Sequence, residues 1–385
     1  MKKIFVFLKW IFIACILFVG HAYLTSNTHI FKTLKNTIFK GRMAPPIDTK
    51  KLFSTRKVNI GTPQPWAKDS TYGKLNLSDE ALKTLNKYQT VAFLVAQHGK
   101  LVHEQYWAGY SALSSTNSWS MSKSILSLLV GCAIKEGKIK SVEQEVGDYL
   151  PEYKNTGLKI KHVLTMSSGI NFKEQYKNPY GYAAKALYGS DLQRLNNKYR
   201  VNNQPGKYFI YLSGNSQMLT FLLQKATGKN VSEYASEKLW RKIGAEQPAY
   251  WSLDKKGGTE KGFCCFHSNA RDFAKLGQLM LQKGIWNTDT IIPFSYFKQS
   301  ITPAPTLQLN GNPNDLYGYQ WWVIKYRGMD ISYARGIDGQ YIISIPAKGL
   351  VVVRLGRFRN ETKINGHPQD FYLYTDAALD LVNTP

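Results

Sequence analysis

Ser118-Trp119-Ser120-Met121-Ser122-Lys123-Ser124-Ile125-Leu126-Ser127-Leu128-Leu129-Val130 sets a serine and a lysine three residues apart at the head of a strongly apolar run. Residues three apart share one face of a helix, so Lys123 is expected beside the Ser120 hydroxyl. An amine held there can take the hydroxyl proton once burial or nearby charge lowers its pKa. That pairing allows a serine nucleophile that uses no histidine.

Ser-x-x-Lys occurs four times, at Ser54-Lys57, Ser120-Lys123, Ser252-Lys255 and Ser295-Lys298, so context has to decide. Ser54 lies in a polar, Pro- and Lys-rich lead-in, and Ser252 enters the loop Asp254-Lys255-Lys256-Gly257-Gly258. Ser295 follows Pro293 and reads as the cap or first turn of a short surface helix. Only Ser120 leads into a buried helix. Met121, Ile125, Leu128, Leu129 and Cys132 form one apolar stripe, and Gly137 supplies a stop. A lysine entering such surroundings is costly unless it has a partner or a task.

Outward from this helix, the 385 residues suffice for one large core. Lys2 and Lys3 precede an apolar run from Ile4 to Gly20 broken only by Lys9, and Gly20-His21-Ala22 resembles a small-x-small cleavage site. That is the layout of a signal peptide. The stretch from Trp10 to Leu24, somewhat short for a span, also suits an uncleaved anchor. Either way the body is expected to be exported, to the periplasm or the outer face of the cytoplasmic membrane. Residues 1–24 are thus signal peptide or anchor, 25–75 an extended, loop-like lead-in rich in proline, and 76–385 the main domain.

The net charge is +24, from 50 basic and 26 acidic residues. Lysine and arginine are dispersed rather than grouped on one arm or helix face, which argues against nucleic acid and suits an anionic membrane or envelope polymer. Of four cysteines, Cys15 lies in the leader and Cys132 on the helix stripe. Cys264 and Cys265 are adjacent, so a mutual bond is unfavourable. No disulfide and no zinc site is expected, and all three cysteines outside the leader read as packing residues.

Ser78-Asp79-Glu80 opens a helix to about Tyr88, and Thr90–Ala96 with Leu101–Trp107 reads as a hairpin around Gly99-Lys100. Residues from about 142 to 300 read as mainly helical. Strands return at Tyr317–Tyr326, Ile331–Arg335, Gln340–Ile345 and Gly349–Leu355, before a last helix from about Gln369 to Val382. Strands at both ends and a helical middle predict an α+β domain: one antiparallel sheet completed by distant segments, flanked by helices, with an inserted helical subdomain.

Five ordered segments now point to one family. Beyond Ser120-Met121-Ser122-Lys123 these are Ile160–Gly169, Pro205–Tyr211, Asn269–Gly277 and Ala334–Gln340. Together, over roughly residues 75 to 380, they resemble the serine β-lactamase and penicillin-binding superfamily. The resemblance is to its class C-like branch of esterases, D-amino-acid peptidases and 6-aminohexanoate-dimer hydrolases. It implies a β-lactamase-like fold, an acyl-enzyme mechanism and no cofactor or metal. Ser120 would be the nucleophile, Lys123 the general base and Tyr211, in Tyr211-Leu212-Ser213, a coupled proton shuttle. Ser213-Gly214-Asn215 can also be read as the Ser-x-Asn element of class A enzymes, but the flanking segments suit the tyrosine register.

The third element departs from the family's Lys-Thr-Gly or His-x-Gly, because the chain has Ala334-Arg335-Gly336. Arg335 adjoins the expected cation position without filling it. Gly336 still permits close backbone approach. The Ile337 and Ser120 N–H groups would form the oxyanion hole. An apolar residue at 337 tilts toward the 6-aminohexanoate-dimer hydrolases. Tyr176 and Asp191, from Glu174-Gln175-Tyr176 and Ser190-Asp191, resemble a substrate-contacting loop, with Ser213 and Arg335 as further substrate contacts. His98, His103, His162 and His267 show no triad or metal spacing. With no Gly-x-Ser-x-Gly elbow and no His-Glu-x-x-His, the α/β-hydrolase and metalloprotease readings lose their main support.

The expected function is hydrolysis of a small ester, amide or short peptide. A D-alanyl carboxypeptidase or β-lactamase on the same site is the nearest alternative, and a non-catalytic envelope-binding protein the next.

Overall fold

The computed structural model describes residues 2–42 and 44–383. The chain opens with α1, an uninterrupted helix over Lys2–Leu24 that is long and apolar enough to cross a membrane. Its apolar side chains from Ile4 to Phe12 stand clear of the rest of the protein. A short helix, α2 (His29–Asn36), turns His29, Ile30 and Thr33 inward. The lead-in, expected to be loop-like, is instead built into the body. Ile47 and Val58 are fully buried, and Thr55–Val58 pairs antiparallel with Ala249–Ser252. Proline bars the helix interior and the central strand, but an edge strand tolerates it nearby.

The main sheet contains β1 (Ala67–Lys68), β2 (Thr90–Gln97), β3 (Lys100–Tyr106), β4 (Trp322–Tyr326), β5 (Met329–Gly336), β6 (Gln340–Ile345) and β7 (Leu350–Gly356). Their spatial order is β4-β5-β6-β7-β2-β3-β1. Only β1 runs parallel to its neighbour. The hairpin forms as expected, with His98 and Gly99 both at positive φ, as a tight turn requires. β7 lies against β2, with Val352 opposite Val95, so the two ends of the domain complete one sheet.

Between β3 and β4 the chain is mainly helical. It contains α3 (Met121–Lys135), α4 (Tyr182–Tyr188), α5 (Ser213–Thr227) and α6 (Ala270–Leu281), and α7 (Gln369–Asn383) closes the chain. This part also holds strands that the sequence did not reveal. Ala249–Ser252, Phe266–Ser268 and Thr116–Asn117 join Thr55–Val58 in a second, four-stranded sheet.

Alternation along the central strands separates two cores. Phe93, Val95, Ile343 and Val352 pack with Phe371 and Tyr374 of α7. Leu94, Ala96, Ile342, Val351 and Val353 face α3 and α6. Each such side chain contributes roughly 1.5–3 kcal/mol by leaving water, so α3 is fixed on the sheet by apolar burial.

The cysteines depart from expectation. Cys264 and Cys265 are joined to each other, with Cys265 at φ 68°. Whether adjacent cysteines can join is decided by the backbone between them, which spacing along the chain does not reveal. Cys132 is a free, buried thiol.

Candidate active site

Ser120 immediately precedes α3, at the point where the chain leaves Thr116–Asn117. Trp119 holds φ at 46°, rare for an aromatic residue, and the Asn117 side-chain oxygen accepts its N–H at 2.8 Å. The turn buries Trp119 and leaves Ser120 partly open.

Lys123, one turn on, is 1% exposed. Its Nζ donates to Ser120 Oγ at 3.2 Å, to Ser213 Oγ at 3.3 Å and to the Phe263 carbonyl at 2.7 Å. Burial pulls its pKa down to about 8, and the Glu174 charge works the other way. The ammonium is therefore held in place by three acceptors while remaining able to lose its proton near neutral pH.

Tyr211 stands against Lys123, its ring centre 5.3 Å from Nζ. The ring packs on Tyr317 and Trp322. Burial pushes the phenol up to about 12, while a hydrogen bond with Ser120 and the charge of Arg335 draw it down. Of the two groups beside Ser120, Lys123 is thus the one whose free base is accessible near neutral pH. Ser213 begins α5, and its N–H donates to the Glu174 carboxylate, which also accepts the Tyr176 hydroxyl at 2.7 Å. Glu174 was not singled out from the sequence; its only signal was its place in Glu174-Gln175-Tyr176.

The end of β5 closes the other side. A Cβ on Gly336 would stand 2.3 Å from the Ser118 carbonyl oxygen and 2.9 Å from Trp119 Cβ, so only glycine lets β5 approach the turn before Ser120. The following turn is tied down from behind. Arg354, fully buried, donates to the carbonyls of Asp338 at 2.9 Å and Gly339 at 2.8 Å. Gln340 Nε2 donates to the Ile337 carbonyl at 3.0 Å.

Two cavities meet at Ser120 and Ile337. One, of about 310 Å³, is mostly apolar and is walled by α2, α4, Phe263 and Cys264. The other, of about 570 Å³, is lined by Tyr211, Arg335, Gly336 and a ring of basic residues. Tyr176 borders both, and Ser213 borders the apolar one. Asp191 stands apart. It caps the short helix Leu192–Asn196, accepting the Arg194 N–H at 2.9 Å, and borders neither cavity. Among the other Ser-x-x-Lys serines, Ser252 is buried in its strand, 3.0 Å from His267 Nε2, where burial lowers the imidazole to about 3.

The family model for Beta-lactamase matches residues 79–363. The chain belongs to the beta-lactamase family. It is 26% identical over 317 residues to the 6-aminohexanoate-dimer hydrolase of Paenarthrobacter ureafaciens, covering 76% of this chain and 79% of that one. Among solved structures, a Bacillus anthracis protein provisionally described as a 6-aminohexanoate-dimer hydrolase superposes with a TM-score of 0.75 at 21% identity, over 86% of this chain and 91% of that one. A family VIII carboxylesterase gives a TM-score of 0.60 at 16% identity, over 79% and 98%. These likenesses bear out the β-lactamase-like α+β fold expected from the five segments. The chain is a serine hydrolase of that fold.

Proposed function

We propose that this member of the beta-lactamase family hydrolyses esters or amides through an acyl-enzyme formed on Ser120. The observation that carries the reading is the buried Lys123 amine, 3.2 Å from Ser120 Oγ with a pKa lowered to about 8. Lys123 takes the hydroxyl proton as the Ser120 Oγ–carbonyl bond forms. Tyr211 relays that proton to the leaving oxygen or nitrogen as the carbonyl bond to it breaks. Water then attacks the acyl-enzyme by the reverse path, giving the acid and restoring Ser120. The N–H groups of Ser120 and Ile337 receive the oxyanion, which the close approach of Gly336 to the Ser118 carbonyl makes feasible.

We also place the domain outside the cytoplasmic membrane, held there by α1, whose apolar side chains from Ile4 to Phe12 are uncovered by any of the described residues. A second reading, a carboxylate-recognising D-alanyl carboxypeptidase or β-lactamase, is favoured by one observation: Arg335 lines the larger cavity. Ser120→Ala should abolish hydrolysis of p-nitrophenyl butyrate, whereas alanine at Ser54 or Ser295 should leave it intact. Retained hydrolysis by Ser120→Ala would defeat both readings.

A further inference from the structure

The two cavities differ in chemistry and meet at one nucleophile, which constrains what spans them. The smaller is walled mostly by Ile38, Ala183, Ala184, Leu187, Phe263 and the Cys264 arm of the disulfide, with the charged Arg42, Glu174 and Lys177 also bordering it. The larger presents six cationic side chains (Lys40, Arg42, Arg335, Arg357, Arg359 and Lys363) against two carboxylates, Asp338 and Glu361. Arg357 and Arg359 are paired with Asp48 and Glu361. Arg335 forms no ion pair among the described residues. Its guanidinium lies 3.5 Å from the centre of the Trp322 ring, and its buried Nη1 has no hydrogen-bond partner. A buried donor left unmatched within the protein is open to an acceptor from outside it. Lys363 is drawn below its usual range by burial and then by the charges of Arg335 and Arg359, which the nearby Glu361 carboxylate opposes without cancelling.

Tyr211 fixes the direction of the substrate. It borders the basic cavity and not the apolar one. If it supplies the leaving group's proton, as proposed above, the leaving group departs on the basic side and the acyl chain occupies the apolar side. The anchor-proximal segment contributes to both walls. Thr33, Thr37 and Ile38 border the apolar cavity, Lys40 the basic one and Arg42 both. Ile38, which borders the apolar cavity, is 48% exposed, giving its rim an apolar edge.

We infer that the site cleaves acyl esters of an anionic alcohol: an apolar acyl chain fills the smaller cavity, and a phosphate-bearing leaving group fills the larger. The reaction consumes one water and releases the fatty acid and the anionic alcohol, with the proton route unchanged. This inference rests on the Ser120 mechanism, so its test has to separate the two.

The test compares kcat/KM of the full-length protein for decanoylglycerol phosphate, neutral decanoylglycerol and acetylglycerol phosphate. The phosphate ester with the long chain should exceed each of the others about tenfold or more, as one charge-assisted hydrogen bond or one filled cavity would give. Arg335→Gln should reduce the phosphate-to-neutral ratio about tenfold, and Lys363→Gln, on an exposed strand, should lower it in the same direction. Ala184→Trp should reduce the decanoyl-to-acetyl ratio. Supplying the phosphate ester in phosphatidylcholine vesicles or as free monomer identifies a bilayer or a soluble source, and turnover in either supports the class. The inference is overturned if the wild type hydrolyses p-nitrophenyl butyrate through Ser120 yet shows no preference for charge or chain length. A D-alanyl-D-alanine tripeptide turned over more efficiently than the phosphate ester would also overturn it. Hydrolysis surviving in Ser120→Ala would instead remove the mechanism beneath it.

Discussion

With a pKa of about 8, Lys123 carries a free amine in only about a tenth of molecules at pH 7. If that amine is the base, kcat/KM for p-nitrophenyl butyrate should rise about tenfold from pH 7 to a plateau above about pH 9, inflecting near 8. At an ordinary lysine value of 10.5 the free amine would be roughly one in three thousand at pH 7, and no plateau would appear before pH 11. A perturbation that reaches Lys123 through its charge is Glu174→Gln. The carboxylate raises the Lys123 pKa, so removing its charge should move the inflection to lower pH and bring activity at pH 7 closer to the plateau. Lys123→Arg, always charged, should lose about 10²–10⁴-fold and the pH limb with it. Stability follows the same shift. The buried ammonium costs folding free energy below pH 8, and that cost is relieved as pH rises from about 8 toward 10.5, where the unfolded chain binds the extra proton. Stopped-flow or plate kinetics over pH 5.5–10 suffice to read the profile. An inflection near 6.5, or one unmoved by Glu174→Gln, would refute the assignment of the base.

Tyr211→Phe keeps the ring packing on Tyr317 and Trp322 but removes the phenol, so kcat should fall about 10²–10⁴-fold with the melting temperature nearly unchanged; parallel losses of both would make Tyr211 a packing residue. Gly336→Ala should cost about 10²–10³-fold in kcat, because a Cβ 2.3 Å from the Ser118 carbonyl forces β5 away from Ser120. Near-normal kinetics in that variant would remove the oxyanion role of this strand end. If α1 anchors the protein, a 1 M salt wash, with a Debye length of about 3 Å, should leave it in the membrane fraction, because apolar burial is not screened. Release by salt would mean that only the basic surface held it.

How much was legible follows the range of the interactions involved. The Ser120–Lys123 contact is set by three residues of helix geometry, so it could be read from one short stretch. The central strands announced themselves by length and β-branched content, and their alternation by the two-sided core. The Thr55–Val58 pairing with Ala249–Ser252 could not be read, since it joins segments nearly 200 residues apart through strands of only four residues. Asp191 was assigned to the site by its motif, but an aspartate before a short helix is equally well placed as a cap, and that is where its side chain is spent. The Cys264–Cys265 bond was rejected on spacing although local backbone conformation decided it. Glu174 and the basic ring around Arg335 are assembled from segments distant in sequence, and dispersed charge gave no sign of their convergence.

Covalent labelling tests the nucleophile most directly. The full-length protein treated with a fluorophosphonate should gain one adduct mass, and peptide mapping should place it on Ser120, with labelling slowed in Lys123→Arg and absent in Ser120→Ala. An adduct on Ser213, Ser252 or any other residue, or undiminished labelling of Ser120→Ala, would contradict an acyl-enzyme on Ser120.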